Sequence, residues 1–135
     1  MMDIETLQRA LPEYFAPWVL ALELTVDAFE GDSVTLRLPQ NDQLSRAGGT
    51  LCGQAMMAAA DTAMVLALIN HFGGFRPCTT VQMNSSFMKP LAGQAALVQA
   101  RVLRAGKSLA FGEIDIRGAD DGKSVSRFTT TYALL

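Results

Sequence analysis

Apolar residues recur along this chain with two different periods. Ile4, Leu7 and Leu11 have helical spacing, and Pro12 is expected to end or restart that turn. From Leu20 the period becomes two: Leu20, Leu22, Leu24 and Val26 alternate with Ala21, Glu23, Thr25 and Asp27. After "EGD" the set Val34, Leu36 and Leu38 alternates with Thr35 and Arg37, which predicts a hairpin with one buried face. A loop containing Pro39, Asn41 and Gly48-Gly49 then leads into "GTLCGQAMMAAADTAMVLAL", rich in Ala, Met and Leu and free of β-branched runs. That stretch predicts a helix from about residue 52 to 71. Past "HFGGFRP" the strand pattern returns four times, at about 79–88, 94–104, 108–117 and 124–134, with "ADDGK" as the last turn.

The predicted helix is apolar on nearly all sides and must therefore be enclosed. Only about fifteen residues, Ala55 to Ile69, form its apolar stretch and Asp61 sits among them, so a membrane span is a poor reading. One long buried helix and about six antiparallel strands are satisfied by a curved sheet wrapped around the helix. The expectation is a single α+β domain over residues 1–135, with no linker, repeat or low-complexity tract.

Composition narrows the function classes. Half of the residues are apolar, 18% are charged and the net charge is −2, which points away from disorder and from a nucleic-acid partner. The start, "MMDIETLQRALPEYF", mixes Asp3, Glu5 and Arg9 with spaced apolar residues and does not read as a signal peptide, so a cytoplasmic location is expected. Cys52 and Cys78 are accordingly expected as reduced thiols. The single histidine, His71, leaves a Ser-His-Asp triad, a His/Cys zinc site or a HExxH helix without the residues they need. Neither a Walker-type loop nor GxGxxG is present, and no metal or organic cofactor is expected.

Two features of the helix carry chemistry. Its start leaves amides unpaired around Cys52 to Gln54, a site suited to an oxyanion at the positive end of the helix dipole, and Gly53 lets a carbonyl approach the backbone closely. Asp61 is the one carboxylate in the helix. It can activate water or attack directly, or it can be a structural group bonded to Thr62 or to a strand hydroxyl such as Thr80. Asp61 lies eight residues beyond Gly53, ~12 Å along the axis, so one helix cannot bring both to one carbonyl. Two subunits with their helices side by side can. Cys52 could also be a nucleophile at the helix start. His71 is nineteen residues away, ~28 Å along the helix, so no Cys-His dyad forms within one chain, and Cys52 is assigned to the wall of the site.

The string "GTLCGQAMMAAADTAM" resembles the signature of hotdog-fold acyl-CoA thioesterases of the PaaI-like type. There, Gly-x-x-His-Gly-Gly opens the central helix and an acid follows nine positions after the histidine. Cys52 stands at the histidine position, Gly53 and Gln54 at the glycines and Asp61 at the acid, which marks a variant sub-branch. The resemblance continues through "TTVQMNSSFMKP" and "AGKSLAFGEIDI". It implies catalysis by Asp61 and the Gly53 amide in a homodimer with two interface sites, often doubled to a tetramer. It also implies substrate contacts from Arg46, where many relatives carry asparagine, from Cys52 and Gln54, and from Thr80 near the catalytic water. Lys89, Arg104, Gly106 and Lys107 fall at strand ends where relatives hold the pantetheine and phosphates of CoA. Met56, Met57 and Met64 either line an acyl pocket or fill the core. The reading is hydrolysis of a medium-sized apolar or aromatic acyl-CoA to free acid and CoA. The alternatives are a non-catalytic acyl-CoA or acyl-carrier binding protein, and a dehydratase or hydratase, which needs a histidine beside the acid.

Overall fold

The computed structural model describes residues 2–135. Helix α1 (Ile4–Tyr14) begins at Asp3, whose carboxylate accepts the Thr6 amide at 2.8 Å, and buries Leu7, Ala10 and Leu11. Pro12 does not end it. It sits in the last turn, where its missing N–H costs one bond, and the Phe15 amide still closes onto the Leu11 carbonyl.

The alternation that starts at Leu20 marks burial and not strand pairing over its first half. Pro17–Leu20 form one helical turn, α2, with Pro17 in its first turn, and a bend with Glu23 at φ +57 carries the chain to strand β1 (Thr25–Glu30). Leu22, Leu24 and Val26 are buried as their spacing predicts, while Leu20 is exposed. The Val26 amide and the Leu24 carbonyl are both held by the side chain of Gln8. Local turn chemistry therefore displaces the ladder while the apolar residues keep their inward direction.

The other strands fall within two residues of the predicted ranges: β2 (Ser33–Leu38), β3 (Cys78–Phe87), β4 (Ala96–Ala105), β5 (Leu109–Gly118) and β6 (Ser124–Leu134). All pairs are antiparallel in the order β1-β2-β4-β5-β6-β3, so β3 forms one free edge and β1 the other. Helix α3 (Gly53–Phe72) lies in the concave face against β2, β4 and β5. By length and composition it could cross a membrane, yet most of its apolar surface is buried inside this fold. The sheet comes close because β5 carries Gly112 under the helix, where a Cβ would stand 2.2 Å from the Met64 sulfur. Gly73, at φ +75, ends the helix in the left-handed region. This is the hotdog arrangement expected from the sequence.

Candidate active site

The loop before α3 is built to deliver a helix start. Asn41 caps a short 3-10 turn (Asp42–Leu44), and Gly48 and Gly49 adopt φ +98 and +82, a region closed to most side chains. The Leu51 amide is then fixed by the Leu91 carbonyl and the Cys52 amide by the Leu44 carbonyl. Cys52 is the N-cap: its sulfur accepts the Ala55 amide at 3.4 Å. Its carbonyl accepts from Met56. That leaves the amides of Gly53 and Gln54 without a partner among the described residues, as a receptive helix start requires.

Beside those amides lies a cavity of about 350 Å³. Leu51, Met56, Phe87, Met88 and Pro90 supply its apolar wall, and Arg46 and Lys89 bring cationic side chains with no carboxylate partner among the described residues. Thr50 also lines it, and its Oγ1 is buried without a hydrogen-bond partner, an open valence at the wall. Gly53 is not demanded by packing: a Cβ there would rest in ordinary contact, 3.5 Å from the Phe87 ring. Of the α3 methionines, Met56 lines the cavity, whereas Met57 is not part of its wall and is exposed.

Asp61 is the only carboxylate in α3 and is held differently. Thr80 Oγ1 of β3 donates to its Oδ1 at 2.9 Å, and the Tyr132 hydroxyl of β6 donates to the same oxygen at 2.5 Å. No hydrogen bond from a described residue reaches Oδ2. Burial, and then the adjacent Asp61 charge, push the Tyr132 hydroxyl well above its ordinary value, so it remains a protonated donor. Burial likewise raises the Cys78 thiol, with Asp61 adding to the effect.

The sequence-predicted site residues thus fall into three places. Arg46, Gly53 and Lys89 meet at the helix start, with Cys52 capping it and Gln54 exposed one position on. Asp61 and Thr80 meet two helical turns away and are not part of the cavity wall. Arg104, Gly106 and Lys107 lie at the β4–β5 turn, where the Lys107 carbonyl accepts from Arg76. Both cysteines are free thiols, and His71 is tied to Asp32 at 2.9 Å at the far end of α3. Tyr132 was not singled out from sequence. Its only signal was its inward parity on β6, which a packing tyrosine shares.

Residues 48–125 match the thioesterase superfamily. Human acyl-coenzyme A thioesterase 13 is 27% identical over 106 residues, covering 78% of this chain and 75% of that protein. A solved structure from Silicibacter sp. TM1040 is 30% identical with a TM-score of 0.88, covering all of this chain and 93% of that one. Zebrafish thioesterase superfamily member 2 has a TM-score of 0.88 at 24% identity over the whole of both chains, which establishes the shared fold. The family match spans the helix start, Asp61 and strands β3, β4 and β5, and on it the chain belongs to the thioesterase superfamily, as a thioester hydrolase of the hotdog fold.

Proposed function

We propose that the protein hydrolyses acyl-CoA thioesters of medium-sized apolar or aromatic acids, in a homodimer whose two sites each combine one subunit's Asp61 with the partner's Gly53. The observation that carries this reading is the split between an open helix start and a carboxylate bonded at one oxygen only. The acyl-CoA class also agrees with the name of the human relative.

The unpartnered surfaces support a dimer. Strand β3 is a ten-residue edge without a charge or a proline, so it lacks two of the devices that keep free edges from pairing. Val81 and Phe87 on it are exposed. Along α3, Gln54, Met57 and Asp61 fall on one stripe, with Gln54 and Met57 exposed and Asp61 half-buried. Antiparallel pairing of two β3 strands would set the two helix stripes against each other and bring Asp61 toward Gly53 of the partner subunit. It would also carry the Lys89 end of one strand toward the β4–β5 turn of the other, so that Lys89 could share one CoA with the partner's Lys107 and the partner's Arg104. Within a protomer these groups are separated by the length of β3, ~33 Å.

At such a site the amides of Gly53 and Gln54 receive the thioester oxygen and strengthen their hold as it gains charge. Asp61 Oδ2 either takes a proton from water, whose hydroxide adds to the carbonyl carbon, or adds to it directly to give an anhydride that water opens. On either route the carbon–sulfur bond breaks, CoA thiolate leaves and takes up a proton, and the acid is released. The 350 Å³ cavity, with its Met56 and Phe87 walls, suits an acyl group of moderate size.

A panel of acyl-CoAs from acetyl to palmitoyl, with benzoyl and phenylacetyl members, tests the reading through release of free thiol. Fastest turnover is expected in the middle of the series or with the aromatic members, and light scattering should give at least twice the 14.5 kDa chain mass. Saturable binding without turnover of any member would make this a binding protein. A fully active monomer would end the shared-site geometry.

A further inference from the structure

Resting on the assignment of Asp61 as the reacting carboxylate, we propose that Tyr132 is a positioning residue: with Thr80 it clamps Asp61 Oδ1, so that Oδ2 alone is presented to the reaction.

Position 132 does not need a tyrosine for packing. The side chain is 1% exposed on the inner face of β6, and phenylalanine would fill the same space. A buried phenolic hydroxyl has to find an acceptor, however, and this one finds Asp61: the carboxylate at 2.5 Å and the backbone carbonyl at 3.4 Å. The other inward hydroxyls of β6 are used elsewhere, Ser126 on the Met56 sulfur and Thr130 on the Gly112 carbonyl. Tyr132 is thus the β6 side chain that reaches the charge.

The two clamp donors are not equivalent. Thr80 comes from β3, the edge strand of the protomer's own sheet, next to the register shift between Thr80 and Gln82. Tyr132 comes from a strand paired on both sides, to Ala110 of β5 and to Thr80 of β3. It therefore ties the carboxylate to the rigid part of the sheet. A carboxylate is symmetric, and half a turn about its terminal bond exchanges its oxygens. Two donors on one oxygen fix the plane and leave the other oxygen's lone pairs free, the pre-orientation that a near-attack geometry needs. The titratable groups facing Asp61 are Cys78 of β3 and Tyr132 of β6, and both are shifted upward, so neither ionises near neutral pH.

Tyr132→Phe removes the donor and keeps the ring. Folding and oligomeric state should persist, kcat should fall about ten- to a hundredfold and KM should stay within about twofold, as for loss of a hydrogen bond to a charge. The acid limb of the kcat/KM profile should move up, because a bond donated to the ionised carboxylate is gone. A merely structural hydroxyl would change the melting temperature and leave that limb in place. Difluorotyrosine at position 132 provides a near-isosteric second test: a stronger donor should move the limb down. Wild-type kcat in Tyr132→Phe, or a limb that stays fixed in both variants, overturns the proposal. Asp61→Asn assayed alongside separates the two failures. If it keeps turnover, the assignment of Asp61 has failed; if it is inactive while Tyr132→Phe matches wild type, only the positioning role has.

Discussion

The two ends of the proposed reaction site are made of different material. At the start of α3 the functional groups are backbone amides, placed by a loop whose two glycines and flanking carbonyl contacts fix its path, and they are left unpaired. Two turns later the functional group is a side chain, Asp61, bonded at one oxygen by hydroxyls from two strands. Backbone geometry can leave a donor open at little expense, because water or substrate can occupy it. A carboxylate in an apolar helix cannot be left so, since its charge needs partners or it loses stability. The helix start therefore tolerates changes of side chain that preserve the backbone and leave its amides open to substrate, while the Asp61 end depends on particular atoms.

Changing one atom at the second end should have the largest effect. Asp61→Asn keeps an acceptor for Thr80 and Tyr132 but removes the base, so kcat should fall by ~10²- to 10⁴-fold while substrate affinity and oligomeric state are retained. Its melting temperature should match or exceed that of wild type, because a desolvated charge is gone. Turnover retained in a folded Asp61→Asn protein would reduce the carboxylate to a structural role.

At the first end a steric change is next in size. The added methyl of Gly53→Ala has room beside Phe87, so the variant should fold with wild-type stability. The methyl would stand where the thioester approaches the amides, and displacement of about an ångström can reduce turnover by up to ~10²-fold. Undiminished kcat/KM with Gly53→Ala would remove the helix start from the chemistry.

The clamp also has a signature in stability. Tyr132 has a folded pKa above its ordinary value of 10.0. The unfolded chain therefore releases that proton first, and the contribution is complete below pH 10 and lost as the pH rises further. Alkaline unfolding measured between pH 9 and pH 11 should be less steep in Tyr132→Phe than in wild type. Equal slopes would mean the phenol is not buried as described.

The smallest effect belongs to Cys52. Serine is among the best N-caps, so Cys52→Ser should raise stability by a few tenths to about 1 kcal/mol, a gain of roughly 1–3 °C in melting temperature. Turnover should survive, with any change falling on acyl preference. Loss of all activity in a folded Cys52→Ser protein would make the thiol a nucleophile.

Much of this architecture could be read from the order of residues. The long helix was predictable because Ala, Met and Leu without β-branched clusters favour helix at every position, and its enclosure because no polar face exists. Strands β4, β5 and β6 followed from a period of two. Between Leu20 and Leu24 the same period misled, because apolar parity reports which way a side chain faces and a helical turn with a bend can preserve that direction without pairing. In the site, Gly53 and Asp61 stood out as exceptions to their surroundings: a glycine opening a helix, and a charge in an apolar run.

Local preference and periodicity determined the elements, the buried face of each strand and the identity of the one carboxylate worth explaining. Three-dimensional packing decided what those residues meet. Thr80 and Tyr132 lie 19 and 71 positions from Asp61, and no periodicity within a segment encodes a contact made by strands that return from elsewhere in the chain. The sulfur cap of Cys52, the unpartnered Thr50 hydroxyl and the placement of Met56 rather than Met57 at the cavity likewise depend on angles and distances of an ångström or less. Sequence fixes which groups exist and which way they point along one element, whereas the chemistry of a site depends on groups from several elements meeting at bonding distance.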